Sequence, residues 1–297
     1  MIDGKTCLIT GSTSGIGKQI AIGLAKLNGN VVLVGRQKDR CEATVEEIRR
    51  NVSSNTNKYR ISYLLADLSS QASIQQLAEE FLSSHERLDI LVNNAGVFFH
   101  KRFTTVDGLE YTFAVNHLAP FLLTNLLFER IKTSTPSRII TTSSVAHMGA
   151  QINFDDLQFE RRRYSGVKAY SQSKLANILF TKELSRRSRG SGVTSNCFHP
   201  GGVRTNLVQT SPWYYRFIWA FVTPFLVSPC KGAETAIYLA SSLDVEGISG
   251  KYFVKKRQAR ISDSADDHNA AVRLWKISEE LTGIRNNLID SKSNRSE

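Results

Sequence analysis

The chain has 297 residues, 41% of them hydrophobic, so it can bury a substantial core, and α/β folds of this length commonly form one domain. Its formal net charge of +11 comes without any recognisable nucleic-acid-reading element, so we expect no nucleic-acid partner. The four cysteines and six histidines are scattered without metal-ligand spacing, which predicts a reduced compartment and no metal site. No signal peptide is recognisable before the first strand, and we therefore expect a cytoplasmic protein.

A glycine-rich turn follows the first predicted strand. Residues 6–9 form a short apolar run, residues 20–25 follow a helical pattern, and the turn lies between them. Gly11 permits a tight turn, Gly15 lets the backbone approach a pyrophosphate, and Gly17 allows the helix to pack closely on the strand. The spacing G-x-x-x-G-x-G favours a nucleotide site over a plain strand-to-helix connection.

Five further apolar runs of strand length follow, each with a helical pattern after it and small or polar residues at its end. They lie at 31–34, 61–66, 88–92, 138–142 and 193–198. This alternation predicts an α/β, doubly wound fold with a central parallel sheet flanked by helices. Ligands bind at the carboxyl ends of such strands, where the polar residues lie.

The residues after the second strand indicate which dinucleotide is bound. NAD sites usually place a carboxylate there for the ribose 2′-hydroxyl, but this strand is followed by Arg36 and Lys38, and Asp39 comes three residues after Arg36. The Arg36 guanidinium suits a 2′-phosphate, and Lys38 adds a second charge. A solvated surface arginine is the alternative, and we favour NADP(H).

Tyr170 and Lys174 are four residues apart in a predicted helix, so their side chains lie on one face. A phenol titrates near pH ~10, and an adjacent ammonium favours its ionised form. We therefore expect Lys174 to lower the Tyr170 pKa toward neutrality, where a tyrosine can exchange a proton with a substrate oxygen.

Together these motifs resemble the short-chain dehydrogenase/reductase family, which has a Rossmann fold. They occur in order between about residues 5 and 254: Thr10-Gly11-x3-Gly15-x-Gly17, Asp67, Asn93-Asn94-Ala95-Gly96, Asn116, Ser143-Ser144, Tyr170-x3-Lys174 and Pro200-Gly201. Secondary matches, such as 144–147 and 153–157, resemble the retinol dehydrogenase branch. The microsomal members of that branch carry a hydrophobic N-terminal anchor, whereas residues 1–5 lead straight into the first strand, so we expect no permanent membrane-bound state.

The resemblance implies a catalytic role for four residues. Tyr170 is the general acid in carbonyl reduction and the base in alcohol oxidation, and Lys174 lowers its pKa and binds the nicotinamide ribose. Ser144 binds the substrate oxygen, with Ser143 the weaker candidate. Asn116 holds a water molecule that links Lys174 to solvent, although a helix-kinking role is compatible with this.

The resemblance also implies a set of cofactor contacts, and hydride transfer from nicotinamide C4 to a carbonyl carbon. Besides Arg36, Lys38, Tyr170 and Lys174, these contacts are Gly11, Ser12, Ser14, Gly15, Ile16 and Gly17 at the phosphates, Asp67, Leu68, Asn94, Ala95 and Gly96 along the adenosine, and Pro200, Gly201, Val203 and Thr205 at the nicotinamide.

The most aromatic stretch, residues 213–227, is too short to span a membrane and contains Arg216 and Pro224. Three interpretations remain open: packed helices or a homodimer surface, a lid over a lipophilic substrate, and peripheral membrane contact helped by the positive charge. We expect one domain over 1–285, with a substrate-covering segment at about 204–230, and a flexible tail over 286–297.

The expected function is NADP(H)-dependent oxidation or reduction of a lipophilic carbonyl or alcohol in lipid metabolism, with retinal and retinol as candidates. One alternative is a pigment-precursor double-bond reductase. Another is a catalytically idle NADP(H)-sensing scaffold on the same fold.

Overall fold

The computed structural model describes residues 2–52, 60–202 and 227–284. A central sheet in this part of the chain consists of β1 (Thr6–Thr10), β2 (Asn30–Gly35), β3 (Ile61–Leu65), β4 (Ile90–Asn93), β5 (Ser137–Thr142), β6 (Val193–His199), β7 (Tyr252–Val254) and β8 (Arg257–Gln258). The strands lie in the order β3-β2-β1-β4-β5-β6-β7-β8, all parallel except β8. The strand order reverses between β1 and β4, which makes their carboxyl ends a topological switch point.

Helices cover both faces of the sheet. They are α1 (Gly15–Lys26), α2 (Lys38–Asn51), α3 (Gln71–Ser84), α4 (Tyr111–Phe113), α5 (Ala119–Thr133), α6 (Gly166–Arg187), α7 (Pro229–Ser241), α8 (Asp263–Asp266) and α9 (His268–Thr282). A π-helical turn, Ala114–Leu118, joins α4 to α5, and a 3-10 turn, Val145–Gly149, follows β5. The helices α1, α2 and α7 pack on one face, and α3, α5, α6 and α9 on the other.

The sheet separates two apolar cores because successive strand residues point to opposite faces. Leu8 and Val32 pack in the core beneath α3, α5, α6 and α9. Ile9 and Leu33 pack in the core beneath α1, α2 and α7. Burial on both faces explains why these strands are continuously apolar in the sequence.

The structure confirms the predicted doubly wound α/β fold, and a strand lies at each of the six predicted runs. It adds β7 and β8, which have three and two residues and are too short to predict from periodicity. Most of the predicted covering segment (204–230) and the tail (286–297) lie outside the described residues, so the domain division stays a prediction. Within 2–52, 60–202 and 227–284, no helix is both long and apolar enough to cross a membrane.

Candidate active site

Thr10, the last residue of β1, fastens the glycine-rich turn to the turn after β4. Its Oγ1 accepts hydrogen bonds from the backbone amides of Asn94 and Ala95, at 3.0 and 3.1 Å. The Asn94 side chain returns a hydrogen bond to the Thr10 carbonyl at 3.0 Å. The two turns at the switch point are therefore held as one unit.

The predicted roles of two glycines match their surroundings. Gly11 has a φ of +64°, and a Cβ there would lie 2.9 Å from Ala95 Cα. A Cβ on Gly17 would lie 2.2 Å from the Gly11 carbonyl oxygen and 2.5 Å from Asn94 Nδ2. A side chain at either position would displace the turn. Because glycine stands at both, the backbone at the start of α1 stays open to the close approach of a ligand.

The two serines of this turn differ in their surroundings. Ser14 is the exposed N-cap of α1 and makes no side-chain capping bond, which leaves its hydroxyl beside the helix N-terminus. Ser12 is fully buried, and its Oγ accepts from the Val34 amide at 3.0 Å and donates to the Val34 carbonyl at 3.3 Å. The Ser12 side chain thus ties the turn to β2, and the contact of Ser12 with the phosphates stays a prediction.

Arg36 lies immediately beyond β2, with an exposed side chain. Gly35 allows the glycine-rich turn to approach this point, because a Cβ on Gly35 would lie 2.6 Å from Thr13 Cγ2. Lys38 is also exposed, and its Nζ lies 3.9 Å from a Glu42 carboxylate oxygen. Arg36 thus stands beside the turn with its charge directed to solvent, while Glu42 partly offsets the charge of Lys38.

Asp67 follows β3 and belongs to a local turn. Its Oδ1 accepts from the amide and the hydroxyl of Ser69, at 2.9 and 2.7 Å. Its own amide donates to Ser73 Oγ at 2.9 Å. Leu68 is half-buried against the core under α3 and α5. These contacts fix the edge of the site where adenosine is expected.

Ser144, Tyr170 and Lys174 meet at the carboxyl end of β5. Ser144 caps the 3-10 turn that follows this strand, and Tyr170 and Lys174 project from α6. Lys174 is buried, and its Nζ donates to the Thr142 carbonyl at 3.2 Å and lies 5.5 Å from the centre of the Tyr170 ring. The structure therefore brings these three predicted residues together.

The pKa values differ from the sequence-based expectation. Burial raises the pKa of Tyr170 to about 12, and a hydrogen bond with Ser144 acts in the opposite direction. Burial also lowers the pKa of Lys174 to about 8. The expected lowering of the Tyr170 pKa toward neutrality is wrong for the protein alone, because desolvation disfavours the charged form of both groups. Tyr170 therefore carries its proton at neutral pH.

Asn116 lies in the π-helical turn, a distortion that is frequent at functional sites. Its Oδ1 accepts from the Val97 amide at 2.7 Å, and its Nδ2 donates to the Val97 carbonyl and to Ser173 Oγ, both at 3.0 Å. A Cβ on Gly96 would lie 3.4 Å from both Asn116 Oδ1 and Lys174 Nζ. Oδ1 keeps a second lone pair that can accept from water.

Two neighbouring side chains make hydrogen bonds that hold the fold together. Ser143 Oγ donates to the Lys174 carbonyl at 2.7 Å, so this hydroxyl fastens α6 to β5 and leaves Ser144 as the substrate-facing candidate. Asn93 is buried, and its Nδ2 donates to Thr124 Oγ1 at 2.9 Å.

Pro200 and Gly201, where the sequence predicts nicotinamide contacts, follow β6, and Gly201 has a φ of +92°. The predicted contacts Val203 and Thr205 lie outside the described residues. Among the residues that the structure describes, no group of three or more His, Cys, Asp or Glu side chains could hold a metal ion.

Sequence reasoning missed the contacts that three residues make in this site. Thr10 resembles any hydroxyl residue at the end of a strand. Phe98 packs edge-on against Tyr170 with ring centres 5.8 Å apart, and only tertiary structure joins the two. His147 binds the Ser144 backbone; its place three residues after Ser144 was a usable signal, but the scattered histidines predicted only the absence of a metal site.

Comparisons with known proteins agree with this geometry. The family model for the short chain dehydrogenases matches residues 5–213. The chain belongs to the short chain dehydrogenase family. It is 43% identical to retinol dehydrogenase 13 of Homo sapiens, over 95% of this chain and 86% of that protein. It is 41% identical to retinol dehydrogenase 14 of Homo sapiens, over 96% of this chain and 88% of that protein.

Solved structures give the same answer for the fold of this short chain dehydrogenase. An uncharacterized protein from Mycobacterium Paratuberculosis superposes with a TM-score of 0.77 at 32% identity, covering 96% of this chain and 95% of that one. RhlG of Pseudomonas aeruginosa, solved in complex with NADP, superposes with a TM-score of 0.68 at 25% identity, covering 85% of this chain and 94% of RhlG. The predicted resemblance is confirmed, and the chain is an oxidoreductase acting on CH–OH or C=O groups.

Proposed function

We propose that this short chain dehydrogenase is an NADP(H)-dependent enzyme that interconverts a lipophilic carbonyl compound and its alcohol, with retinal and retinol as the first candidates. The observation that carries the proposal is the meeting of Ser144, Tyr170 and Lys174 at the carboxyl end of β5. This group lies at the same edge of the sheet as the glycine-rich turn that follows β1.

The residues at the sheet edge fit NADP(H). Gly11 and Gly17 have no side chains, so a pyrophosphate can come close to the backbone of the turn. The exposed N-terminus of α1 supplies backbone amides and the Ser14 hydroxyl for the phosphates. Arg36 and Lys38 offer cations where an NAD site would have a carboxylate. RhlG, solved with NADP, and a blue fluorescent protein from a metagenomic library, solved with NADPH, share the fold at 25% identity.

Each catalytic residue has one task in this mechanism. Bound NADP(H) supplies or accepts the hydride. Tyr170, protonated at neutral pH, donates its proton to the substrate oxygen during reduction and takes it back during oxidation. Ser144 donates a hydrogen bond to that oxygen. The Lys174 ammonium faces the Tyr170 phenol and would bind the nicotinamide ribose of the cofactor. Asn116 positions water for renewal of the proton.

Apolar side chains around the catalytic group support a lipophilic substrate. Val145 follows Ser144, Met148 lies on the same 3-10 turn, and Val167 precedes Tyr170 by one helical turn; they are 49%, 50% and 60% exposed. Phe98 contacts the Tyr170 ring itself. Exposed apolar side chains on the same elements as Ser144 and Tyr170 are consistent with a lipophilic substrate. The relatives named above are retinol dehydrogenases, which makes retinoids the first compounds to test.

The presence of Ser144 beside Tyr170 favours carbonyl chemistry over double-bond reduction, because its hydroxyl has a task when the substrate brings an oxygen to accept its hydrogen bond. Homodimer formation and peripheral membrane contact through 213–227 remain predictions of the sequence, as does a cytoplasmic location.

The proposal is tested by following the reduction of all-trans-retinal by the purified protein with NADPH. Tyr170→Phe is expected to lower kcat by about a hundredfold to ten-thousandfold, the usual contribution of a general acid, while NADPH affinity stays unchanged. Tyr63→Phe, which alters an exposed hydroxyl bonded to Glu42, is the matched control. Full turnover in Tyr170→Phe would refute the mechanism. Tight NADPH binding without turnover of retinal or of other lipophilic carbonyls would favour the sensor alternative.

A further inference from the structure

His147 is a fully buried imidazole three residues after Ser144. Its Nδ1 lies 2.6 Å from the Ser144 carbonyl oxygen, and its own backbone amide donates to the same oxygen at 3.2 Å. A carbonyl oxygen only accepts, so Nδ1 must carry the proton. Two donors from one residue therefore hold the Ser144 peptide in place.

The surroundings of the ring keep it neutral and fixed. The imidazole packs edge-on against the Tyr252 ring with centres 4.9 Å apart. Burial lowers the His147 pKa, although the bond to Ser144 opposes this. His199 lies nearby, and burial, helped by the charge that His147 would carry when protonated, lowers the His199 pKa to about 4. Protonation of His147 at Nε2 would place a second N–H in a buried position without an acceptor among the described residues.

The held peptide determines where the Ser144 hydroxyl points. Ser144 is the N-cap of the 3-10 turn, and its Oγ accepts from the Ala146 amide at 3.2 Å. This bond leaves the Oγ–H free to point to Tyr170 or to a substrate oxygen. If the peptide rotated, the cap and the direction of the hydroxyl would change together.

We propose that His147 is a positioning residue for this enzyme: it holds the Ser144 peptide through Nδ1 so that the serine hydroxyl faces Tyr170. The inference rests on the proposed carbonyl chemistry and goes beyond it, because His147 itself touches neither Tyr170 nor the substrate. If the imidazole only filled space, removing the Nδ1 donor while keeping the volume would have little effect. Variants with and without a donor at this position therefore test the proposal.

Three variants separate positioning from packing. His147→Leu removes the donor and fills similar space, whereas His147→Asn retains an N–H donor near the Nδ1 position. Tyr252→Phe, which removes a buried hydroxyl without a hydrogen-bond partner among the described residues, is the control. We expect kcat to fall at least tenfold in His147→Leu with KM for NADPH unchanged, and less than threefold in His147→Asn and Tyr252→Phe.

A readout without turnover distinguishes failure of this inference from failure of the proposed function. Hydrogen exchange of the Ala146 amide reports the bond to Ser144 Oγ directly, and we expect it to rise at least tenfold in His147→Leu and to change little in His147→Asn. Equal behaviour of the Leu and Asn variants in exchange would overturn the proposal, and so would unchanged exchange in His147→Leu. If the wild-type protein reduced no carbonyl compound, the exchange result would still decide the role of His147.

Discussion

At the scale of single residues, desolvation decides the charge state of the catalytic pair. Tyr170 and Lys174 both lie where the ionised form is costly, so the phenol stays protonated and the ammonium is more acidic than usual. This arrangement suits proton donation to a substrate oxygen. It also makes Lys174 the group whose titration limits activity on the alkaline side.

The first prediction concerns this titration. Because the Lys174 pKa is lowered to about 8, kcat/KM for carbonyl reduction should fall above about pH 8 as the ammonium loses its proton. Lys174→Arg, with a guanidinium that keeps its proton, should be slower but show no decline between pH 8 and 10. The measurement is a pH profile of kcat/KM, and a wild-type profile that is flat to pH 10 would contradict the assignment.

Arg36 carries the second prediction. Arg36→Asp should weaken NADPH binding by about tenfold to a hundredfold, since a charge-assisted hydrogen bond is lost, and should affect NADH far less. Fluorescence titration with both cofactors checks this. Arg50→Asp, an equal charge change on an exposed residue in the last turn of α2, serves as the control. Equal losses for NADPH and NADH in Arg36→Asp would count against the choice of NADP(H).

At the scale of elements, the site depends on two turns that are locked together at the switch point. Thr10 binds the turn after β4 with its hydroxyl, and Asn94 binds the turn after β1 with its amide. Gly17 lies directly over this junction, where a Cβ would meet both the Gly11 carbonyl and the Asn94 side chain. The helix α1 can therefore start where it does only with glycine at this position.

The third prediction follows from that packing. Gly17→Ala should lower NADPH affinity at least tenfold and cost about 1–3 kcal/mol of unfolding free energy, as overpacking does. Chemical denaturation and cofactor titration measure the two effects. Gly149→Ala is the control, because a Cβ there meets nothing within 4 Å and should leave both quantities nearly unchanged. NADPH binding that survives Gly17→Ala intact would show that the turn does not hold the pyrophosphate.

At the scale of the whole molecule, Arg187 links helix α6 to helix α9: it forms a buried ion pair with Glu183 inside α6 and contacts Trp275 of α9. Glu183 is fully buried and accepts from Arg187 Nε at 2.6 Å and from Arg186 Nη2 at 2.7 Å. The Arg187 guanidinium stacks over Trp275 of α9, 4.3 Å from the ring. Arg187 thus pairs with Glu183 inside the helix that carries Tyr170 and Lys174, and it also packs that helix against α9.

The fourth prediction concerns stability and its pH dependence. Glu183→Gln should cost about 3–5 kcal/mol, because it leaves the Arg187 charge buried without a counter-charge. Burial acts to raise the Glu183 pKa, but hydrogen bonds from Arg186 and Arg187 outweigh it and lower the pKa below 4.5. The contribution is therefore complete above about pH 4.5 and is lost as the pH falls through the folded-state pKa.

Denaturation curves between pH 7 and 3 check both parts of that prediction, with a shallower acid dependence expected for Glu183→Gln than for wild type. Glu129→Gln is the control, since its carboxylate is 74% exposed and its pair with Lys132 is a surface one. A loss below 1 kcal/mol for Glu183→Gln would mean that the pair adds little to stability.

The sequence by itself determined the fold class and the order of the sheet-forming segments along the chain, and it predicted which residues form the catalytic group. It could do so because buried parallel strands are continuously apolar, and because the glycine-rich turn and the Tyr170–Lys174 pair are short local spacings in the chain. Tertiary structure alone decided which groups are desolvated and which distant groups meet. It reversed the expected direction of the Tyr170 pKa shift, bound the Ser12 hydroxyl to the Val34 carbonyl, and brought Phe98 to Tyr170 and Lys174 to the Thr142 carbonyl. Burial and contacts between separate elements arise only when the sheet is assembled, so a local pattern does not contain them.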